Sequence, residues 1–245
     1  MRIVSLCPST TETLVAFGLG GSLVGVTRYC VHPREALAGI PRVGGTKDPD
    51  HAAIAALAPD LVLCNAEENR AADVAALAAR HRVDVSHPTR VADVPPLLRH
   101  LGALTGSEPA AEGWARRVEE RLAAARPAAR PVRFAYLIWK GPWMAAAAGT
   151  YISDLLETFG GVDVFPNERG PWPRTDEEEL AALAPELVVL PDEPYRFGEK
   201  DRALLGGLLP EARVELVPGD DLCWHGVRTL RGLEAAGALL HGRTS

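Results

Sequence analysis

Short, continuously apolar runs alternate with helical stretches along most of this chain. In the first 90 residues the pattern predicts strands at 3–6, 23–27, 42–43, 61–64 and 83–86, and helices at 10–18, 50–57 and 70–80. Strand and helix in alternation, joined by short turns, argue for a parallel sheet covered on both faces. Runs such as LVLC and LVVL carry no polar alternation, as strands buried on both faces require. A second alternating block begins near Val132, with strands expected at 133–138, 162–164, 187–190 and 214–217. Its helices are expected at 151–159, 176–183, 201–208 and 226–240.

The two blocks repeat one another. Residues 54–65 read IAALAPDLVLCN and residues 180–191, 126 positions later, read LAALAPELVVLP. In each a helical run ends at Ala-Pro-acid and a β-branched strand follows. The block openings, RIVSLCPSTTETLVAFGLGG and RFAYLIWKGPWMAAAAGTYISDLLETFGG, also keep one order of strand, polar loop and glycine-closed helix. The prediction is an α/β protein of two similar lobes with central parallel sheets, joined by a long rigid α-helix, with a ligand cleft between the lobes. The lobes are expected at 1–90 and 132–245, and a helical linker at 91–131. In that linker Ser107-Glu108-Pro109 is a good helix start, and Ala110–Arg126 would form about 25 Å of helix before Pro127. A stiff connection predicts little closure on binding.

At 245 residues there is room for two cores of ordinary size. The net charge of −6 argues against nucleic acid, which needs a basic face, and RRVEER at 116–121 reads as a solvated helix face. No apolar run approaches 18 residues, so membrane insertion is not expected. Met1 is followed at once by a strand pattern, with no charged and apolar leader. As written this predicts a cytoplasmic protein, or a periplasmic or extracellular one if a leader was trimmed. The four cysteines, without CxxC spacing, read as free thiols.

In open α/β sheets ligands bind beyond the carboxyl ends of the strands. Those positions supply the candidate binding residues: Ser9 and Thr10; Tyr29 and His32; Thr46 and Lys47; Glu67, Glu68, Asn69 and Arg70. In the second block they are Trp139, Lys140, Trp143, Tyr151, Trp172, Tyr195, Trp224 and His225. Four tryptophans in such loops suit a large, partly apolar ligand. Cys30-Val31-His32 and Cys223-Trp224-His225 form a matched pair of metal-ligating types, one per block, which keeps direct coordination by Cys30, His32, Cys223 and His225 open as an alternative. The glycines at 44–45 lack phosphate-loop spacing, and no GxSxG or HExxH nucleophile or metalloprotease motif occurs, so no catalytic residue is assigned.

Taken together, RIVSLCPSTTETLVAFGLG, VGVTRY, ALAPDLVL and PWPRTDEEELAALAPELVVL make the chain similar to the class III periplasmic binding proteins, also called helical-backbone metal receptors. The resemblance runs over nearly the whole chain. It implies two α/β lobes on a helical backbone and an intact chelate as ligand (cobalamin, heme or a ferric siderophore) rather than an intrinsic cofactor. It also implies delivery to an ABC permease as partner. Tyr29 and Trp172 fall where the cobalamin-binding branch has cleft aromatics, whereas Thr46-Lys47 and Asn65 stand where that branch tends to carry tryptophan. The rival reading is a cytoplasmic enzyme or metal-handling chaperone on the same scaffold, using Cys30, His32, Glu67, Cys223 and His225.

Overall fold

The structure is a computed structural model and describes residues 1–165 and 167–242. By its contacts the chain divides into two compact units. One comprises Met1–Pro88, Ala92–Glu119 and His225–Arg228; the other comprises Thr89–Val91, Glu120–Trp224 and Thr229–Ser245.

The first unit opens with β1 (Ile3–Ser5), α1 (Pro8–Ala16), β2 (Leu23–Val26), α2 (His51–Ala56), β3 (Leu61–Asn65), α3 (Ala71–Ala78) and β4 (Val83–Ser86). Its four strands are all parallel, in the order β2-β1-β3-β4. Val4, Val62 and Cys64 from the two central strands, and Leu6 just after β1, pack with Ile54 and Leu77 from α2 and α3. Pro8 occupies the first turn of α1, where its missing N–H costs nothing. The Asp50 side chain caps α2 by accepting from the Ala53 N–H at 2.9 Å. The strand expected at 42–43 is reduced to a single bridge between Val26 and Arg42. The reason is the turn just after it: Gly44 sits at φ 89° with the Asp48 carbonyl where a Cβ would be, and the chain doubles back before a ladder can form.

The expected linker holds two helices where one was read. They are α4 (Val94–Thr105), with Pro95 in its first turn and a left-handed Gly106 at its end, and α5 (Glu108–Ala123). Arg99 binds Glu112 and Glu119, each at 2.7 Å, and so ties α4 to α5. The boundary between the units falls inside α5, between Glu119 and Glu120. The helix ends three residues earlier than expected, where the Arg126 guanidinium donates to the Ala123 and Ala125 carbonyls.

The second unit contains β5 (Val132–Trp139), β6 (Trp143–Ala146), α6 (Tyr151–Glu157), β7 (Gly161–Asp163), β8 (Arg174–Thr175), α7 (Glu177–Leu183) and β9 (Leu187–Pro191). It continues with α8 (Glu199–Leu208), β10 (Arg213–Val217), α9 (Gly219–Cys223) and α10 (Thr229–Leu240). β10, β9, β5 and β7 are parallel, as expected. β6 and β8 were not read from the sequence, and they extend this sheet in antiparallel fashion. The turn at Lys140–Pro142 reverses the chain, so Trp139 and Trp143 end and begin paired strands instead of sharing one loop. Ala135, Leu137, Val188 and Leu190 pack with Leu180 and Leu205 in the core of this unit.

The repeated phrases fold alike in detail. Ala58 and Ala184, the alanines before the two prolines, are the only described non-glycine residues at positive φ, 44° and 46°. A residue before proline is driven out of the α region, and the left-handed conformation both ends the helix and turns the chain into the strand. The next residue, Asp60 or Glu186, donates its N–H to the Arg2 or Arg133 carbonyl at 2.8 Å and returns a carboxylate oxygen to the same arginine's N–H. Each arginine donates its guanidinium to the carbonyl of Leu57 or Leu183 at the end of the helix. Sequence repetition thus corresponds to a repeated helix-to-strand joint.

Candidate functional site

At the carboxyl ends of the first unit's strands the candidates separate into a buried group and an exposed one. Ser9, Thr10, Thr46, Asn69 and His225 are buried. His225 reaches this unit through residues 225–228, a short return of the chain. Its Nε2 lies 3.2 Å from Ser9 Oγ and 3.3 Å from Asn65 Nδ2. Asn65 Oδ1 is already taken by the Glu67 and Glu68 N–H groups, which leaves Nδ2 to donate and Nε2 to accept. Burial alone pushes His225 down to about 4, so the ring is neutral near pH 7. Four residues are then pinned: Arg228 makes a two-pronged pair with Glu12 at 2.7 and 2.8 Å, and the Val227 N–H donates to Thr13 Oγ1. This cluster fastens the return segment to α1.

The exposed group carries the polar display. Tyr29 is 52% exposed with the Arg28 guanidinium 5.2 Å from its ring centre, and Arg28 is itself held by both Asp48 oxygens at 2.7 Å. Lys47 donates to the Glu67 carbonyl, and burial raises the Glu67 carboxyl above its ordinary range. Glu68 is half-buried, Arg70 is exposed ahead of α3, and His32 is half-buried.

In the second unit the tryptophans have different fates. Trp139 is 43% exposed and meets Tyr195 edge-on at 5.5 Å; Trp172 is 37% exposed. Trp143 is a core residue, stacked on Phe197 at 6.0 Å, with Lys140 over its ring and bonded to Asp201. Tyr151 is buried with its hydroxyl 2.9 Å from Thr229. Trp224 is buried and donates its indole N–H to Glu193 at 2.6 Å. Core packing removes Trp143 and Tyr151 from the loop surface on which the sequence pattern placed them.

The Cys-His pairs take other partners. The Cys30 sulfur lies 3.1 Å from Thr11 Oγ1 and 3.2 Å from Thr27 Oγ1, and burial raises its thiol pKa. Cys223 donates to Glu193 at 3.3 Å. Cys7 and Cys64 are pushed up to about 11 and about 12 by burial. The thiols of Cys7, Cys30 and Cys64 therefore stay protonated and are poor ligands. Among the described residues no three His, Cys, Asp or Glu side chains are grouped so as to hold an ion. Glu12, Asn65 and Glu193 are not among the candidate binding residues, although all three stand in strand-end segments, CPSTTE, CNAEENR and PDEPYRF; nothing local to them reveals that their partners are Arg228, His225 and Trp224.

With this fold and these strand-end displays, the chain belongs to the periplasmic binding protein family, whose model matches residues 3–202. It is 27% identical over 207 residues to the vitamin B12-binding protein of Vibrio cholerae serotype O1, spanning 82% of this chain and 74% of that one. Among solved structures, it resembles a periplasmic heme-binding protein from Pseudomonas aeruginosa with a TM-score of 0.82 and 26% identity, over 100% of this chain and 94% of that one. The periplasmic heme-binding protein of Roseiflexus sp. RS-1, in apo form, gives a TM-score of 0.85 at 21% identity, over 99% and 98% of the two chains. Among the described residues no helix is long and apolar enough to cross a membrane.

Proposed function

We propose that this protein is a substrate-binding protein for an intact metal chelate of the cobalamin or heme kind, which it hands to an ABC permease. The observation that carries the reading is the exposure of Trp139 at the carboxyl end of β5, with Tyr195 beside it, and of Trp172 in the segment that leads into β8. Leaving indole rings in water forgoes roughly 1.5–3 kcal/mol each of burial, which a flat conjugated ligand recovers by covering them. The relatives named above bind ligands of that shape. The protonated, engaged thiols support a whole chelate over a bare ion. Delivery to an importer places the working protein outside the cytoplasmic membrane.

Titrating the full chain with cyanocobalamin, hemin and a ferric siderophore, beside free zinc, copper and iron salts, tests this. Saturable one-site binding of one chelate at micromolar concentration or below is expected, with no comparable binding of the salts. Tight binding of a free ion, lost in Cys30→Ser and His225→Ala together, would establish the metal-handling alternative.

A further inference from the structure

Four aromatic rings run in contact from the surface of the second unit into its core. Trp139, at the end of β5, is 43% exposed and meets the half-buried Tyr195 edge-on at 5.5 Å. The Tyr195 ring lies 4.7 Å from that of Phe197, tilted by 55°, and Phe197 stacks on Trp143 at 6.0 Å with the planes 4° apart. Phe197 and Trp143 are both buried. The two ends of this series flank one turn: Trp139 closes β5, Trp143 opens β6, and Lys140–Pro142 lies between them.

The backbone explains why the rings meet. The Phe197 N–H donates to the Tyr195 carbonyl at 3.0 Å, a tight turn centred on Arg196 that brings the side chains on either side of it together. The same N–H reaches the Pro191 carbonyl, at the end of β9, at 3.3 Å, so the pair is anchored to the sheet. Asp201, in the first turn of α8, accepts from the Gly198 N–H at 3.1 Å and from Lys140 Nζ at 2.6 Å. That ammonium lies 5.1 Å from the centre of the Trp143 ring, so the turn between the two tryptophans is tied to the helix that follows Phe197. An indole left in water ordinarily samples several rotamers, and a ligand that covers it must first order it. Aromatic contacts are directional, edge to face or offset, so a ring packed on a fixed ring is itself oriented.

We propose that Phe197, acting through Tyr195, is a positioning residue that holds the exposed Trp139 ring in one orientation before any ligand arrives, so that folding and not binding orders this ring. This rests on the chelate-binding reading and deepens it by assigning what aims one of its exposed tryptophans. The order runs outward from the buried pair: Trp143 fixes Phe197, Phe197 fixes Tyr195, and Tyr195 fixes Trp139.

Phe197 is 4% exposed and out of a ligand's reach, so any effect of Phe197→Leu on affinity has to be transmitted through Tyr195. Phe159→Leu, which shortens another buried phenylalanine of this unit outside the series of rings, is the control for lost stability. In ligand-free protein carrying 5-fluorotryptophan, the Trp139 fluorine resonance is identified by its loss in Trp139→Phe. It should be one narrow line, shifted from that of the free amino acid, in the wild type and in Tyr195→Phe, which keeps the ring. In Phe197→Leu and Tyr195→Ala it should broaden or move toward the free value. Affinity for hemin or cyanocobalamin, whichever the wild type binds, should fall about three- to tenfold in Phe197→Leu and stay within about twofold in Phe159→Leu. A Trp139 resonance unmoved in both Phe197→Leu and Tyr195→Ala would overturn the positioning. So would equal losses of affinity in Phe197→Leu and Phe159→Leu, which would make the effect one of stability. Should Phe197→Leu fail to fold, the Trp139 resonance in Tyr195→Ala decides alone. Failure of both chelates to bind would remove the chelate-binding reading, while the resonance still decides whether Tyr195 and Phe197 orient Trp139.

Discussion

The segments Ile54–Asn65 and Leu180–Pro191 share a helix, a left-handed alanine, a proline, an acid that grips the arginine opening its unit's first strand, and a buried strand. They part company at the last residue of that strand. In the first unit the strand ends in Asn65, whose amide is spent inside the protein on Ser86, His225 and the following turn. In the second it ends in Pro191 and leads to Asp192 and Glu193, which accept from Gly219, Trp224 and Cys223. One frame thus serves two ends: the first secures a returning segment of chain, and the second leaves Asp192 exposed in the loop that follows. Joints that must fold are repeated, and strand ends, which need only be held, are free to differ.

The largest test of that contrast lies in the fastening. Arg228 is nearly buried against Glu12, and removing that carboxylate takes away two charge-assisted hydrogen bonds at once. Glu12→Ala should cost about 3 kcal/mol by chemical denaturation. A loss below about 1 kcal/mol would mean that the return segment is held by other contacts.

The units should also respond oppositely to pH. His225 titrates at about 4 in the folded protein, below its ordinary 6.5. The unfolded chain therefore takes up the proton first, and stability falls as pH drops from about 6.5 to about 4. The ceiling is about 3 kcal/mol, and His225→Gln should flatten the fall. In the second unit burial raises Asp163 to about 6 from 3.8, beside Ser153 and Glu157. Its ionisation opposes folding, so stability falls as pH rises from about 4 to about 6, and the loss persists above that. Asp163→Asn should then gain roughly 1 kcal/mol at pH 7 once partial solvent screening is allowed for. Melting curves between pH 4 and 7.5 separate the two, and the same slope for both variants would refute the assignment.

The smallest effect belongs to the shared joint. Ala58→Gly and Ala184→Gly relieve a left-handed alanine at a cost in chain entropy, so each should be neutral or stabilising by up to about 1 kcal/mol. Equal outcomes at both sites would sharpen the equivalence of the joints; destabilisation at one alone would break it.

Much of the frame was legible because it is local. The apolar runs, the Ala-Pro-acid turns and the alternation of strand with helix are written within about a dozen residues. What was missed depends on distant partners. β6 is only four residues long, and Trp143 at its start reads like the loop tryptophans until Phe197 is placed against it. The excursion of residues 225–228 depends on Glu12 and Thr13, more than 200 positions earlier. Residue type and position mark Ser9 and His225 as ligand contacts, whereas the structure shows them hydrogen-bonded to each other. Tyr29, Trp139 and Trp172 stand out because they remain 37–52% exposed in the folded protein.

That exposure leads to the most direct measurement: the affinity of Trp139→Ala and Trp172→Ala for whichever chelate the wild-type protein binds, read beside their melting temperatures. If these rings are a ligand surface, each variant should bind about tenfold more weakly or worse and melt within about a degree of the wild type. Undiminished affinity in both would contradict the account, as would a large loss of stability with affinity retained.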